Sequence, residues 1–353
     1  MSARPTILLT GATGVVGSAL LPMLQRHFSV ISLTRRGRVD SEQVHGDIAR
    51  PRLGLDQMTY KTLCDQVDFV VHAAAVTDFA AGAQTIRELN VAGTGRICDF
   101  TADSKARLLY VSTAFVARAE LTRSATGNDL REAVARPEDY LDSKRAAEHL
   151  VGASGVPAAI VRPSVVIGDS ATGHIVRLQG LHTIASAVLK NQLPLVPLEP
   201  FSRIDFIPQD VVARALTALV RAGIPDGVHW LSAGPQALTA QSMLGFCVAT
   251  AQRLGIAVTA PRLVVPDMVE RLIRPVFIDP LPPPARRRFD DLLAMTALFS
   301  GAHPFPTSLG AIPGTQAPTP QALESSFAAS VRYLALAKGL VDERAAELTE
   351  VAA

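Results

Sequence analysis

Residues 6–17, Thr6-Ile-Leu-Leu-Thr-Gly-Ala-Thr-Gly-Val-Val-Gly17, leave this chain few ways to fold. Ile7, Leu8 and Leu9 predict a short buried strand. Gly11, Gly14 and Gly17 follow at a spacing of three, and a helical pattern opens among them. Glycine permits a tight turn, lets a phosphate approach the main chain, and lets the helix pack close to the strand. The start of the helix then offers free N–H groups and a partial positive charge to an anion. A glycine triplet alone is weak evidence, and a plain structural turn is the alternative. Here it lies between a strand and a helix, the setting that phosphate binding requires.

The pattern continues as strand alternating with helix. A helix is expected from Val15 to His27, with Pro22 inside it as a misfit that a kink would accommodate. A second strand, 29–34, ends in Thr34-Arg35-Arg36-Gly37-Arg38. An NAD-binding fold places an acidic residue about 20 residues past the glycines, for the ribose 2′-hydroxyl. An arginine there suits a 2′-phosphate, so NADP(H) is the expected cofactor. A solvated basic turn is the alternative reading. Gly46-Asp47-Ile48 follows a third strand near 43–45, where a carboxylate or its backbone could bond adenine, or form an ordinary turn. Phe69-Val70-Val71 is a fourth strand running into His72-Ala-Ala-Ala75, whose small side chains leave room for a ligand at the sheet edge. His72 is read as a packed histidine.

A long helix over 84–105 contains Asn90-Val-Ala-Gly-Thr94. Leu108-Leu-Tyr-Val111 is a fifth strand, ending in Ser112-Thr113-Ala114. Residues 118–136 are polar, with Thr126-Gly-Asn-Asp129 as a turn. Pro137 opens a helix carrying Tyr140 and Lys144. Strand 158–161 leads into Arg162-Pro163-Ser164. Six alternations predict an α/β fold with a Rossmann-type, doubly wound parallel sheet. The expected organisation is a cofactor-binding domain over 1–169, a substrate-region insertion over 170–203, and a return to the sheet over 204–232. A smaller, mostly helical substrate region follows over 233–353. Asp210 is expected as a helix N-cap, residues 238–254 as an amphipathic helix, Met268 to Ile278 as a buried helix with membrane attachment as the alternative, and Arg286-Arg-Arg288 as a solvated basic turn with attraction of a substrate's phosphates as the alternative.

Composition closes off other classes. The 353 residues are 48% hydrophobic, enough for a large core, and carry a formal net charge of only +2, which argues for no nucleic-acid partner. Cys64, Cys98 and Cys247 are far apart, fit a reducing cytoplasm, and form no metal motif; the scattered histidines likewise predict no metal. No apolar run reaches the roughly 18 residues of a transmembrane segment.

Tyr140 and Lys144 are four apart on a helix and share a face. An ammonium beside a phenol favours the phenolate and draws the tyrosine pKa down. The tyrosine can then exchange a proton with a carbonyl or alcohol oxygen while hydride moves to or from nicotinamide. Thr113, at the end of the preceding strand, can hold the same oxygen. A structural Tyr–Lys pair is the alternative.

Together these segments resemble the extended short-chain dehydrogenase/reductases. The resemblance runs through Thr10-Gly-Ala-Thr-Gly-Val-Val-Gly17, Gly46-Asp47, His72-Ala-Ala-Ala75, Asn90-Val-Ala-Gly-Thr94, Val111-Ser-Thr-Ala114, Tyr140-x-x-x-Lys144 and Arg162-Pro-Ser164. Within that superfamily the chain looks most like the thioester-reductase and fatty acyl-CoA reductase branch, through His72-Ala-Ala-Ala-Val-Thr-Asp78, Tyr110-Val-Ser-Thr-Ala-Phe-Val116, the segment from Arg162 to Gly173, and Asp205-Phe-Ile-Pro208.

The resemblance implies Thr113, Tyr140 and Lys144 as a catalytic triad, with Asn90 supporting a water-borne proton relay. It implies Gly11, Thr13, Gly14, Val15 and Gly17 at the pyrophosphate, Arg35 and Arg36 at the 2′-phosphate, and Asp47 and Ile48 beside the adenine. Ala73 and Ala74 would also touch the cofactor, Lys144 and Tyr140 its nicotinamide ribose, and Pro163 and Ser164 the nicotinamide. The implied reaction is NADPH-dependent reduction of an acyl thioester to an aldehyde or alcohol. Members of the branch often close a multidomain synthetase, whereas this chain starts at the cofactor strand. A diffusing CoA thioester or a separate acyl carrier protein is therefore the expected donor. The alternatives are a ketone, aldehyde or hydroxysteroid reductase, a sugar-nucleotide epimerase or dehydratase, and a nucleotide-binding regulatory module. Val116-Ala-Arg118 lacks the Val-Tyr-Gly typical of the epimerases.

Overall fold

The computed structural model describes residues 4–118, 136–299 and 303–342. The turn expected at Thr126-Gly-Asn-Asp129 lies outside them.

Seven parallel strands form the central sheet: β1 (Thr6–Thr10), β2 (Ser29–Thr34), β3 (Glu42–His45), β4 (Phe69–His72), β5 (Arg107–Val111), β6 (Ala158–Pro163) and β7 (Gly227–Leu231). Their spatial order is β7-β6-β5-β4-β1-β2-β3. The chain winds outward from β1 in one direction, then returns to lay β4 on its other side. That reversal, between β1 and β4, opens a crevice beyond the carboxyl ends of the strands, where ligands bind in such sheets. The arrangement is Rossmann-like, as expected, with β7 added at the edge.

Alternation along β1 accounts for the layers. Ile7 and Leu9 point to one face, where α1 (Val15–Leu24) and α6 (Gln209–Arg221) cover them. Leu8 points to the other, under α2 (Gln57–Gln66), α3 (Gly93–Ser104) and α4 (Pro137–Ala153). A strand covered on both faces reads as an unbroken apolar run. A third apolar cluster joins α5 (Gly180–Leu189), α7 (Ala240–Arg253) and α9 (Pro320–Ala337) beside the carboxyl edge of the sheet.

Several local expectations shift. The first helix stops at Leu24, and Pro22 fits in its last turn without a break. The helix before β5 begins at Ala83–Ile86 and passes through a π turn at Arg87–Ala92 before α3. Asp210 is not an N-cap: Pro208 holds that position, and the Asp210 carboxylate accepts hydrogen bonds from Ser170 N and Oγ, both at 2.9 Å. The segment Val269–Ile278 is helical but not buried, since Leu272, Val276 and Phe277 are each more than 60% exposed. Arg274 explains this: it turns inward to Asp290 and also pairs with Glu270, leaving an apolar flank outward. Arg286-Arg-Arg288 lies on α8 (Pro283–Ala297) rather than on a turn. Among the described residues, no helix is long and apolar enough to cross a membrane.

Candidate active site

The glycine loop is built by contact rather than by taste for flexibility. Gly11 has φ +77°, and a Cβ there would sit 2.6 Å from the main chain of Ala73 and Ala74. A Cβ on Gly17 would lie 2.1 Å from the Gly11 carbonyl oxygen. The loop therefore lies directly against the end of β4, and α1 starts flush with it. Gly14 is the N-cap of α1 and supplies no side chain to cap it. The first-turn N–H groups are left for an anion, the arrangement that suits a pyrophosphate. Thr13 is exposed at the tip, and the Arg35-Arg36-Gly37 turn after β2 approaches it: a Cβ on Gly37 would be 3.7 Å from Thr13 Cγ2. Arg35 and Arg36 are both exposed.

Asp47 and Ile48 follow β3 along the same edge and are half-buried. Asp47 Oδ1 accepts the Ala49 N–H at 2.9 Å, which shapes a turn, and the Ile48 carbonyl accepts a hydrogen bond from Arg96 at 3.1 Å.

Behind the crevice stands a closed hydrogen-bond chain. The Thr94 hydroxyl donates to the Asn90 carbonyl at 2.7 Å, so its oxygen accepts from His72 Nε2 at 3.1 Å. His72 Nδ1 therefore carries no proton and accepts from the Thr10 hydroxyl at 2.7 Å, and Thr10 Oγ1 accepts the Ala74 N–H at 3.2 Å. Both ring nitrogens are used in the neutral form, the ring is fully buried, and burial pushes its pKa down to about 3. The unfolded chain takes up this proton near pH 6.5. Between the two values only the unfolded state binds it, so stability falls as pH drops, by about 1.4 kcal/mol per unit for this group. His182, held down to about 4 by burial, adds a slope of the same sign. Urea unfolding at pH 6 to 4 should show His72→Gln losing stability about one proton less steeply than the parent chain. Equal slopes would place the acid sensitivity elsewhere.

One cavity of about 210 Å³ gathers much of the expected site. Thr113, Tyr140 and Lys144 line it, with Gly14, Val15, Ala73, Pro163 and Ser164. Gly11, Gly17 and Ala74 form the loop behind it, while Thr13, Arg35, Arg36, Asp47 and Ile48 extend along the sheet edge away from it. Pro137 at the first turn of α4, with Glu138 and Asp139 beside it, starts that helix in a favourable way. Tyr140 and Lys144 then fall one turn apart over the end of β5.

Asn90 lies outside the cavity lining. Its side chain clamps the main chain of Val76, accepting at 2.8 Å and donating at 3.0 Å, and donates to Ser143 Oγ at 3.1 Å. Ser143 in turn donates to the Tyr140 carbonyl at 2.7 Å. Asn90 thus ties the π turn, the segment after β4 and the helix bearing Tyr140 into one unit.

Lys144 is buried; its ammonium donates to the Val111 carbonyl at 2.9 Å and to Tyr110 Oη at 3.3 Å. Burial lowers its pKa to about 8, against a smaller upward pull from Glu148. Tyr140, half-buried against Phe79 at a ring separation of 5.5 Å, differs from expectation: burial pushes its phenol above the ordinary value. The phenol accordingly carries its proton at neutral pH, the state needed to donate one. Thr113 Oγ1 accepts the Phe115 N–H at 3.3 Å, and Ser112 Oγ is buried with no hydrogen-bond partner.

Sequence reasoning missed two groups. Tyr110 is one; a phenol in a buried Leu-Leu-Tyr-Val run needs a polar partner, and that was the available signal. The other is the wall opposite the sheet, formed by Arg177, Leu181, Met295 and Phe299. These lie far along the chain, in segments without a local motif. Among the described residues no cluster of His, Cys, Asp or Glu is placed to hold a metal.

Comparison with known proteins agrees with this geometry. The family described as "Male sterility protein" matches residues 38–216. The L-2-aminoadipate reductase large subunit of Penicillium chrysogenum is 28% identical over 265 residues, covering 62% of this chain and 18% of that protein. A Drosophila melanogaster protein named as a fatty acyl-CoA reductase is 26% identical over 275 residues, covering 60% of this chain and 53% of its own. The chain thus spans about half or less of the length of these relatives. The crystal structure of the terminal R domain from the myxalamid PKS-NRPS pathway has a similar fold, with a TM-score of 0.70 at 23% identity, covering 97% of this chain and 93% of that one.

Proposed function

Because the chain belongs to the male sterility protein family and is an extended short-chain dehydrogenase/reductase of the thioester-reductase branch, we propose that it reduces acyl thioesters to aldehydes, or onward to alcohols, with NADPH. The observation that carries this reading is a single cavity holding Thr113, Tyr140 and Lys144 next to the glycine loop, at the crevice of the sheet. The residues fit a dinucleotide: an uncapped helix start, a loop with no room for side chains, and an unpartnered Ser112 hydroxyl in the cavity wall. Gly11, Thr13, Gly14, Val15 and Gly17 would hold the pyrophosphate, Asp47 and Ile48 the adenine, and Ala73, Ala74, Pro163 and Ser164 the remainder.

Reduced nicotinamide, when bound, supplies a hydride to the thioester carbonyl carbon. Tyr140 gives its proton to the carbonyl oxygen as that oxygen gains charge. Thr113 orients the oxygen by a hydrogen bond. Lys144, charged below about pH 8 and one turn from Tyr140 on the same helix, supplies the stabilising charge in place of the water that burial removes from the emerging phenolate. Loss of the thiol from the reduced carbon then leaves the aldehyde. Asn90 acts through position, holding Tyr140 by way of Ser143. The acyl donor is a CoA thioester or an acyl carrier protein, and the three free cysteines fit a cytoplasmic enzyme.

Loss of NADPH absorbance with a panel of acyl-CoAs and carrier-bound acyl groups, with product analysis, tests the reading. Aldehyde or alcohol from a thioester supports it; turnover of ketones or aldehydes alone makes the protein a carbonyl reductase. The cofactor preference has its own test. Arg35→Ala should raise the Kd for NADPH at least about tenfold, the loss of one charge-assisted contact, and leave NADH nearly unchanged. Equal losses for both would remove Arg35 from the 2′-phosphate.

A further inference from the structure

A second cavity of about 50 Å³ lies in the apolar cluster between α5 and α7. Every side chain lining it is apolar, among them Ala185, Val188, Met243 and Cys247. It shares two walls with the catalytic cavity, Leu181 and Phe299. Native cores hold few voids larger than a water molecule, and apolar voids stay dry yet accept apolar guests. This one lies behind the wall of the reacting cavity, and nothing in its lining could bond a polar substituent. Met243, unbranched and polarizable, can shift to fit a guest.

We propose that this cavity receives the hydrocarbon end of the substrate, so that an unbranched aliphatic acyl chain passes between Leu181 and Phe299 while its thioester carbonyl stays at Tyr140 and Thr113. The inference rests on the thioester-reductase reading and names its substrate class: aliphatic rather than aminoacyl, peptidyl or sugar-bearing. A polar substituent placed there would leave its hydrogen bonds unmade.

Chain-length profiles test it. For each methylene housed, kcat/KM should rise about fourfold from butanoyl-CoA towards decanoyl-CoA. Ala185→Phe, which fills the cavity, should cut the decanoyl-to-butanoyl ratio at least about fifteenfold, the worth of two methylenes. Met243→Ala, which enlarges it and does not crowd the core, should move the optimum to longer chains. Decanol binding, followed by calorimetry, reads the same cavity without turnover and should be lost in Ala185→Phe. A profile that is flat in the parent and unmoved in both variants, with equal decanol binding, overturns the proposal. Decanol binding lost in Ala185→Phe, with no acyl thioester reduced by the parent chain, overturns the proposed reaction and leaves the apolar-chain site standing. Should Ala185→Phe fail to fold, the shift or its absence in Met243→Ala decides.

Discussion

Tyr140→Phe is expected to lower kcat for reduction by about 10²- to 10⁴-fold, the usual contribution of a positioned proton donor. The reason is specific to this site. The phenol is half-buried against Phe79, and burial holds its proton on at neutral pH. Phenylalanine keeps the ring and its packing and removes only the hydroxyl that carries the proton. NADPH affinity, read by fluorescence titration, should stay within about threefold, because the glycine loop and the arginine turn are untouched. A kcat close to that of the parent would show that another group protonates the carbonyl oxygen. A large loss of NADPH affinity would show that Tyr140 contributes mainly by binding.

Gly17→Ala should abolish measurable NADPH binding and destabilise the fold by about 1–3 kcal/mol, the cost of overpacking a site that cannot relax. The added Cβ would lie 2.1 Å from the Gly11 carbonyl oxygen and 2.7 Å from Ala12 Cα. Both are main-chain atoms, and Gly11 is itself pressed against Ala73. The loop has nowhere to retreat, so the start of α1 must swing away from the sheet. Gly245→Ala, in an exposed stretch of α7 with nothing within 4 Å of the new Cβ, is the control and should be neutral or slightly stabilising. Urea midpoints and NADPH titrations of the two variants give the answer. A Gly17→Ala protein that binds NADPH like the parent would mean the loop gives way more easily than its contacts imply.

The outward face of Val269–Ile278 shows why some elements resist reading. Its apolar residues are spaced for burial, and a folded domain ordinarily buries such a face. Which face turned inward was settled by Arg274, which reaches Asp290 on a helix that the local pattern cannot locate. Asp210 is a similar case: its type suits an N-cap, but Ser170, 40 residues earlier, claims the carboxylate.

What the sequence by itself determined is whatever short-range periodicity and local sterics decide. The strand–glycine–helix unit at residues 6–17, the order of strands and helices to Pro163, and the pairing of Tyr140 with Lys144 on one helix face all depend on neighbours a few residues away. The tertiary structure alone decided the electrostatics and the shape of the site. Lys144, on a helix, meets Tyr110 and Val111 on β5, 34 and 33 residues away. The pKa of Tyr140 is raised rather than lowered because partial burial disfavours its charged form. The cavity is closed by Arg177, Leu181, Met295 and Phe299, brought from distant segments by packing in the third apolar cluster. Burial and long-range contact set desolvation and enclosure, and neither quantity is carried by any single stretch of chain.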